Sequence, residues 1–375
     1  MKKLLVFFTV LMLVSVVVGC TQKAVSPTTP VVPLTTAASP EHRPYWPTQE
    51  WQVTTPEKQG MDSAILDRIS GYVKDSGFEV NSVIVIRHGY IVYEKYFREP
   101  WNKDRVHNIY SCTKSIMSSL VGIAVQQGKI KSFNDKLMDY FPNRTIKNLD
   151  ERKKSITLLN LMTMKAGFDW PERTYPYTDP RNIIIQAHRS NDTIQFVLDR
   201  PMAAQPGTIW VYNGGGSQIF SAIVTNKTGM STLEFARENL FNSLGITKLN
   251  WRTDQKGIYD AGGGLSMTPR DMAKYGYLIL NRGAWEGKQI IPADFVAESV
   301  KTQTTFNANS GYGYQSWWTV PLDGYYYAAG IRGQRIYVLE KLDMVVVTTG
   351  NLPEDSQTDM KVREIAKYAI SACKL

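Results

Sequence analysis

The 375-residue sequence predicts a mixed α+β fold: an antiparallel sheet formed from both ends of one domain, flanked by helices, with a mainly helical second lobe. Three observations carry this. Two β-rich runs early in the body, residues 82–87 and 90–97, flank His88-Gly89, a hairpin signal. Three more runs, 325–327, 334–338 and 344–348, come late, with turns expected at 330–333 and 340–343. The chain between the two sets reads mostly as helix, so the sheet has to be completed by both ends of the domain. A composition of 43% hydrophobic and 21% charged residues, with 27 Gly and 18 Pro, is that of a globular protein and excludes a disordered, collagen-like or disulfide-framed chain. The net charge of +9 is modest for this length and no Lys/Arg block stands out, which speaks against nucleic-acid binding.

Taken in order, the first element is a leader. Lys2 and Lys3 precede an apolar stretch, 4–18, broken only by Thr9 and Ser15 and followed by Gly19-Cys20. The stretch falls short of the roughly 20 residues a spanning helix needs, and its charged start and small-residue end are those of a secretory signal over 1–19. Val17-Val18-Gly19-Cys20 resembles a bacterial lipobox, which implies lipidation of Cys20 and a mature protein held at a membrane of the bacterial cell envelope by acyl chains. Residues 20–46 form the next segment. Pro27, Pro30, Pro33, Pro40 and Pro44 among Thr, Ser, Ala and Val favour an extended spacer. The folded body is expected over 47–375. With Cys20 spent on lipid, Cys112 and Cys373 are expected as free thiols.

Within the body, Ile65, Leu66, Ile69 and Val73 share one face of a helix over 63–73, and the hairpin follows. The first helix after it opens at Ser111-Cys112-Thr113-Lys114 and runs through Leu120 and Ile123 to a stop at Gly128. Ser111 and Lys114, three apart, lie on one helical face. A serine hydroxyl is a poor nucleophile until a base removes its proton, and a lysine can be that base. The same spacing equally describes a helix cap beside a surface lysine. A second copy, Ser371 to Lys374, sits at the last residues and is expected to be chance. Thr268-Pro269 reads as an N-cap followed by Pro at the first helical position. A Gly-x-Ser-x-Gly elbow is absent from the sequence, and His42, His88, His107 and His188 form no metal-ligand pattern.

The order of several segments resembles the serine β-lactamase and penicillin-recognising superfamily, especially its class C-like esterase, D-aminopeptidase and 6-aminohexanoate-dimer hydrolase branch. The resemblance covers roughly 51–375. His107-Asn108-Ile109-Tyr110-Ser111-Cys112-Thr113-Lys114 matches the nucleophile segment, Gln205-Pro206-Gly207-Thr208-Ile209-Trp210-Val211-Tyr212-Asn213 the second motif, and Gly262-Gly263-Gly264-Leu265 the glycine-rich approach to a later helix. It implies Ser111 as nucleophile, Lys114 as its base and Tyr212 as the proton relay to the leaving group. Two positions after Tyr212 this chain has Gly214 where relatives often carry Asn, so Asn213 is the expected substitute. The third motif, Lys-Thr-Gly or His-x-Gly in relatives, reads Ala328-Ala329-Gly330-Ile331-Arg332-Gly333 here. The resemblance places the second oxyanion N–H at Ile331 and leaves Arg332 either to read a carboxylate or to sit in a solvated turn. Trp170, Tyr175, Tyr177, Tyr314, Trp317 and Trp318 are expected along the pocket wall, with core packing as the alternative for each.

The implied activity is hydrolysis of a small ester, amide or peptide-like substrate through an acyl-enzyme, without metal or organic cofactor. A β-lactamase or D-alanyl carboxypeptidase with the same centre is the near alternative, and a non-catalytic envelope sensor the more distant one.

Overall fold

The computed structural model describes residues 43–355 and 357–374; the expected leader, Cys20 and the spacer up to residue 42 lie outside them. The early hairpin joins β1 (Val80–Arg87) to β2 (Tyr90–Tyr96). His88 at φ 52° and Gly89 at φ 88° both take the left-handed values that a two-residue hairpin matched to strand twist requires. A Cβ at Gly89 would also stand 2.6 Å from the Tyr277 hydroxyl, so the position has a second reason to be glycine.

Late in the chain come β3 (Thr304–Asn307), β4 (Ser310–Tyr312), β5 (Trp317–Val320), β6 (Tyr325–Gly330), β7 (Gln334–Leu339) and β8 (Met344–Gly350). The sheet order is β2-β1-β8-β7-β6-β5-β4-β3, antiparallel throughout, with Val80 opposite Gly350 and Arg87 opposite Met344. The two ends of the domain therefore meet at its first and last strands, as expected. The strands at 304–307, 310–312 and 317–320 were not among those expected, because they are too short for an alternation to register.

Every residue of β1 is buried, which requires cover on both faces. Strand parity divides the core in two. Ile84 and Ile86 enter a large cluster with Ile116, Leu120 and Leu278, whereas Val83 and Val85 join Leu66, Ile69, Ile365 and Ala369. The second face is covered by α1 (Ser63–Ser76), capped by Asp62, and by the terminal helix, for which no expectation was set. The first face carries α2 (Cys112–Gln126), buried from Cys112 to Ala124, and the helical lobe with α3 (Gly214–Thr228) and α4 (Pro269–Leu280). Thr268 caps α4 by accepting from Asp271 N. The middle of the chain is not all helix: His107–Asn108, Leu265–Met267 and Leu249–Trp251 make a three-stranded sheet that anchors the approach to Ser111.

The packed body begins earlier than residue 47. Arg43 and Asp343 form an ion pair at 2.5 Å with side chains 2% and 4% exposed. Tyr45 donates to the Gly89 carbonyl, and Trp46 packs against Tyr277 and Trp285. The proline content of this stretch reports backbone stiffness and says nothing about where its neighbours dock. Among the described residues no helix is long and apolar enough to cross a membrane.

Candidate active site

The turn that presents Ser111 is built from the small central sheet. Asn108 Oδ1 accepts from Tyr110 N at 2.8 Å and helps hold Tyr110 at φ 46°, a left-handed value costly for a bulky residue. The chain then enters α2 with Ser111 at its N-terminal boundary, and the Ser111 side chain makes no cap bond. Its Oγ lies 3.1 Å from Lys114 Nζ and accepts from the Tyr212 hydroxyl at 2.6 Å. Lys114 is only 2% exposed, so it is no surface lysine. The cap alternative for Ser111 fails on both counts.

Lys114 Nζ donates to the Gly262 carbonyl at 2.5 Å and stands 4.9 Å from the Tyr212 ring centre. The Arg173 guanidinium stands 4.7 Å from the same centre, so the phenol ring has a cation against it as well as the lysine nitrogen. Tyr212 is held by its neighbour Val211, whose N–H donates to the Met164 carbonyl at 2.8 Å, and by packing with Met164 and Tyr312.

Ser111, Tyr212, Ile331 and Arg332 line one cavity of about 630 Å³, walled by Tyr175, Tyr177, Trp318 and Tyr327. Arg332, at φ 62°, donates to Asn351 Oδ1 at 3.0 Å and pairs with Glu354 at 3.5 Å, so its charge is already engaged. Arg173 lines the same cavity and has no hydrogen-bond or ion-pair partner among the described residues.

Four expected pocket residues are elsewhere. Trp170 is 2% exposed and packs in the large core, its indole donating to Glu172 at 2.7 Å. Trp317 is fully buried against Tyr275 and Tyr326, because alternate residues of β5 face opposite ways and Trp318 takes the cavity side. Asn213 caps α3 by accepting from Gly216 N at 2.7 Å, so its amide oxygen is not available to a substrate. Tyr314 likewise packs with Phe133 and Phe295.

Sequence reading did not single out Glu172. Its buried carboxylate accepts from Trp170 Nε1, the Tyr177 hydroxyl and Gly214 N, the last at 2.6 Å. A Cβ at Gly214 would stand 3.1 Å from that carboxylate, so Glu172 occupies the space beside the glycine where relatives often carry Asn. Trp170 and Tyr177 lie within five residues of it, whereas Gly214 N reaches it only through the fold.

Cys112 and Cys373 are free thiols. Burial pushes the Cys112 thiol up to about 12, and it points at the Gln334 carbonyl of the sheet, so it cannot compete with Ser111. Burial, with Arg105 nearby, pushes His107 down to about 4, leaving it neutral at pH 7. Among the described residues no group of three or more His, Cys, Asp or Glu is placed to hold a metal.

The Beta-lactamase family model matches residues 65–369. The 6-aminohexanoate-dimer hydrolase of Paenarthrobacter ureafaciens is 24% identical over 298 residues, 73% of each chain. Among solved structures, a Bacillus anthracis protein provisionally called a 6-aminohexanoate-dimer hydrolase superposes with a TM-score of 0.70 at 22% identity, covering 89% of this chain and 88% of its own. A family VIII carboxylesterase does so at 0.62 and 16% identity, covering 85% and 98%. These likenesses establish the fold.

Proposed function

Because the chain belongs to the Beta-lactamase family, we propose that it is a serine hydrolase that cleaves a small ester, amide or peptide-like substrate through an acyl-enzyme. The observation that carries this is the placement of Ser111 Oγ between Lys114 Nζ and the Tyr212 hydroxyl, facing an open cavity. Ser111 Oγ attacks the substrate carbonyl and Lys114 takes its proton. The oxyanion is held by the N–H groups of Ser111 and Ile331. Tyr212 then gives a proton to the leaving group and is reprotonated from Lys114. Water attacks the acyl-enzyme and gives one proton to Lys114, which returns it to Ser111 Oγ as the acyl C–O bond breaks, so that the acid departs and the serine hydroxyl is restored. The aromatic wall of Tyr175, Tyr177 and Trp318 suits an apolar or aromatic acyl group.

Arg173, uncommitted beside Tyr212, favours the second reading, a β-lactamase or carboxypeptidase whose substrate carries a carboxylate. The balance still lies with esters and small amides, since the third-motif segment at 328–330 offers no cation or hydroxyl and Arg332 is engaged. Purified protein exposed separately to a fluorophosphonate, a β-lactam and a p-nitrophenyl ester, and weighed intact, tests this. The expected result is a covalent adduct in the wild type that is absent in Ser111→Ala. Hydrolysis persisting in Ser111→Ala sinks the nucleophile, and nitrocefin turned over faster than the ester favours the β-lactamase reading.

The basic, apolar and Cys20-terminated start of the chain supports export and lipid anchoring at the cell envelope as part of the same proposal. Cys20→Ser should release an active protein from the membrane fraction. Wild-type protein recovered without lipid on Cys20 would refute the anchor.

A further inference from the structure

Lys114 has to be held with its nitrogen toward Ser111, and its second contact is a backbone carbonyl, Gly262, in a glycine-rich turn with no side chains of its own to brace it. Asp260 braces it. Oδ1 of Asp260 accepts from Gly262 N at 2.9 Å and Gly263 N at 3.1 Å, while its backbone carbonyl accepts from Gly264 N at 3.0 Å and from the Trp251 indole at 2.8 Å. A Cβ at Gly264 would lie 2.6 Å from that of Asp260, so the turn closes directly over the carboxylate and admits only glycine there. Ala261 N adds a bond to Gln218 Oε1 at 2.9 Å, tying the turn to α3.

The other oxygen, Oδ2, meets Arg252 Nη2 at 2.5 Å and lies 3.8 Å from His188 Nε2. The Asp260 side chain is 4% exposed whereas that of Arg252 is 60% exposed, so water screens the cation more than the carboxylate. His188 Nε2 is buried and has no hydrogen-bond partner among the described residues. Burial opposes ionisation of Asp260, yet His188, Arg252 and Lys114 outweigh it and hold the carboxyl below its usual range. Among the described residues, Cys112, Tyr212 and, against the tyrosine ring, Arg173 also stand near Lys114.

We propose that Asp260 is the positioning residue for Lys114: through the Gly262 carbonyl it aims Nζ at Ser111, and its buried negative charge steadies the ammonium that forms when Lys114 takes the serine proton. The inference rests on the reading of Ser111 and Lys114 as nucleophile and base. It differs from a purely structural role for the turn in one respect, since a structural brace would leave the pH dependence of the reaction unchanged.

Two variants acting in opposite directions test it. Asp260→Asn keeps an acceptor for the Gly262 and Gly263 N–H groups but removes the charge. Arg252→Gln removes the cation that offsets that charge, at an exposed position remote from folding of the core. The readout is the rate at which a fluorophosphonate labels Ser111 between pH 5 and pH 10, alongside kcat and KM for a p-nitrophenyl ester. In Asp260→Asn, kcat should fall roughly ten- to a hundredfold with KM little changed, and the rising limb of labelling should move to lower pH by about one unit. Arg252→Gln should move the limb to higher pH by roughly a few tenths of a unit. A limb that stays put in both variants, or a fall in kcat without a shift in Asp260→Asn, overturns the proposal. If Asp260→Asn fails to fold, Arg252→Gln alone decides, and an unmoved limb is again fatal. Labelling or hydrolysis that persists in Ser111→Ala faults the nucleophile instead and is told apart by that control.

Discussion

Replacing Tyr212 by Phe separates what the phenol does for chemistry from what the ring does for packing. Tyr212 is 6% exposed and its ring packs with Met164 and Tyr312, contacts that Phe keeps. Only the 2.6 Å hydrogen bond to Ser111 Oγ goes. One neutral bond contributes about 1 kcal/mol, so the variant should stay folded with a small drop in Tm. The catalytic cost depends on the leaving group. A p-nitrophenolate departs without a proton, and its ester should lose about tenfold or less in kcat/KM, the worth of the bond to Ser111. An anilide must receive a proton as it leaves. Removal of a positioned general acid costs about a hundred- to ten-thousandfold, or roughly 3–5 kcal/mol. The ratio of ester to anilide turnover should therefore rise at least about tenfold in Tyr212→Phe. Steady-state kcat/KM on the two substrates, with the same acyl group, is the assay. An equal loss on both would refute the assignment of Tyr212 as the acid, and unchanged turnover of both would remove it from the mechanism.

Gly215→Ala should destabilise the protein by up to about 2 kcal/mol in urea unfolding: the new Cβ would meet Trp170 and Val197 at 2.6 Å, and overpacking of roughly 1–3 kcal/mol is offset by a helix-propensity gain of about 1 kcal/mol. A stabilised variant would show that the contact between α3 and Trp170 is loose. Glu172→Ala leaves the Trp170 indole, the Tyr177 hydroxyl and Gly214 N without their acceptor, and should cost about 3 kcal/mol or more by the same measurement; a loss below about 1 kcal/mol would mean that the carboxylate does not tie this loop to α3. For His107, held near 4 against an ordinary 6.5, the unfolded chain binds the extra proton between those values, so stability falls as pH drops through that window, by up to about 3 kcal/mol. His107→Gln should flatten that part of the stability curve, and an unchanged slope between pH 6.5 and pH 4 would contradict the burial argument.

The parts of this protein legible in its sequence are those set by local chemistry. The His88-Gly89 hairpin follows from two residues that tolerate left-handed backbone, and the Thr268-Pro269 cap from side-chain reach over one turn. Ser111 and Lys114 sit three apart, so a single helix suffices to bring them together. The terminal helix (Thr358–Ser371) also had a local signature, apolar Val362, Ile365, Ala366 and Ala369 at helical spacing. Pairing of the first and last strands was inferable because apolar runs at both ends have to share a sheet.

Tertiary structure alone decided which aromatics face the cavity and what surrounds Ser111. Trp317 and Trp318 differ in role only through strand parity, which needs the register of β5 to be known. Trp170 and Asn213 carry side chains suited to a pocket wall, yet one is drawn into the core and the other spent on the N-terminus of α3. Tyr212 reaches Ser111 across 101 residues, Gly262 reaches Lys114 across 148, and Gly214 N reaches the Glu172 carboxylate across 42. Spacing along the chain specifies contacts within a helical turn or a hairpin. Contacts across the site depend on how whole elements pack, and on which buried donors and acceptors that packing leaves to be matched.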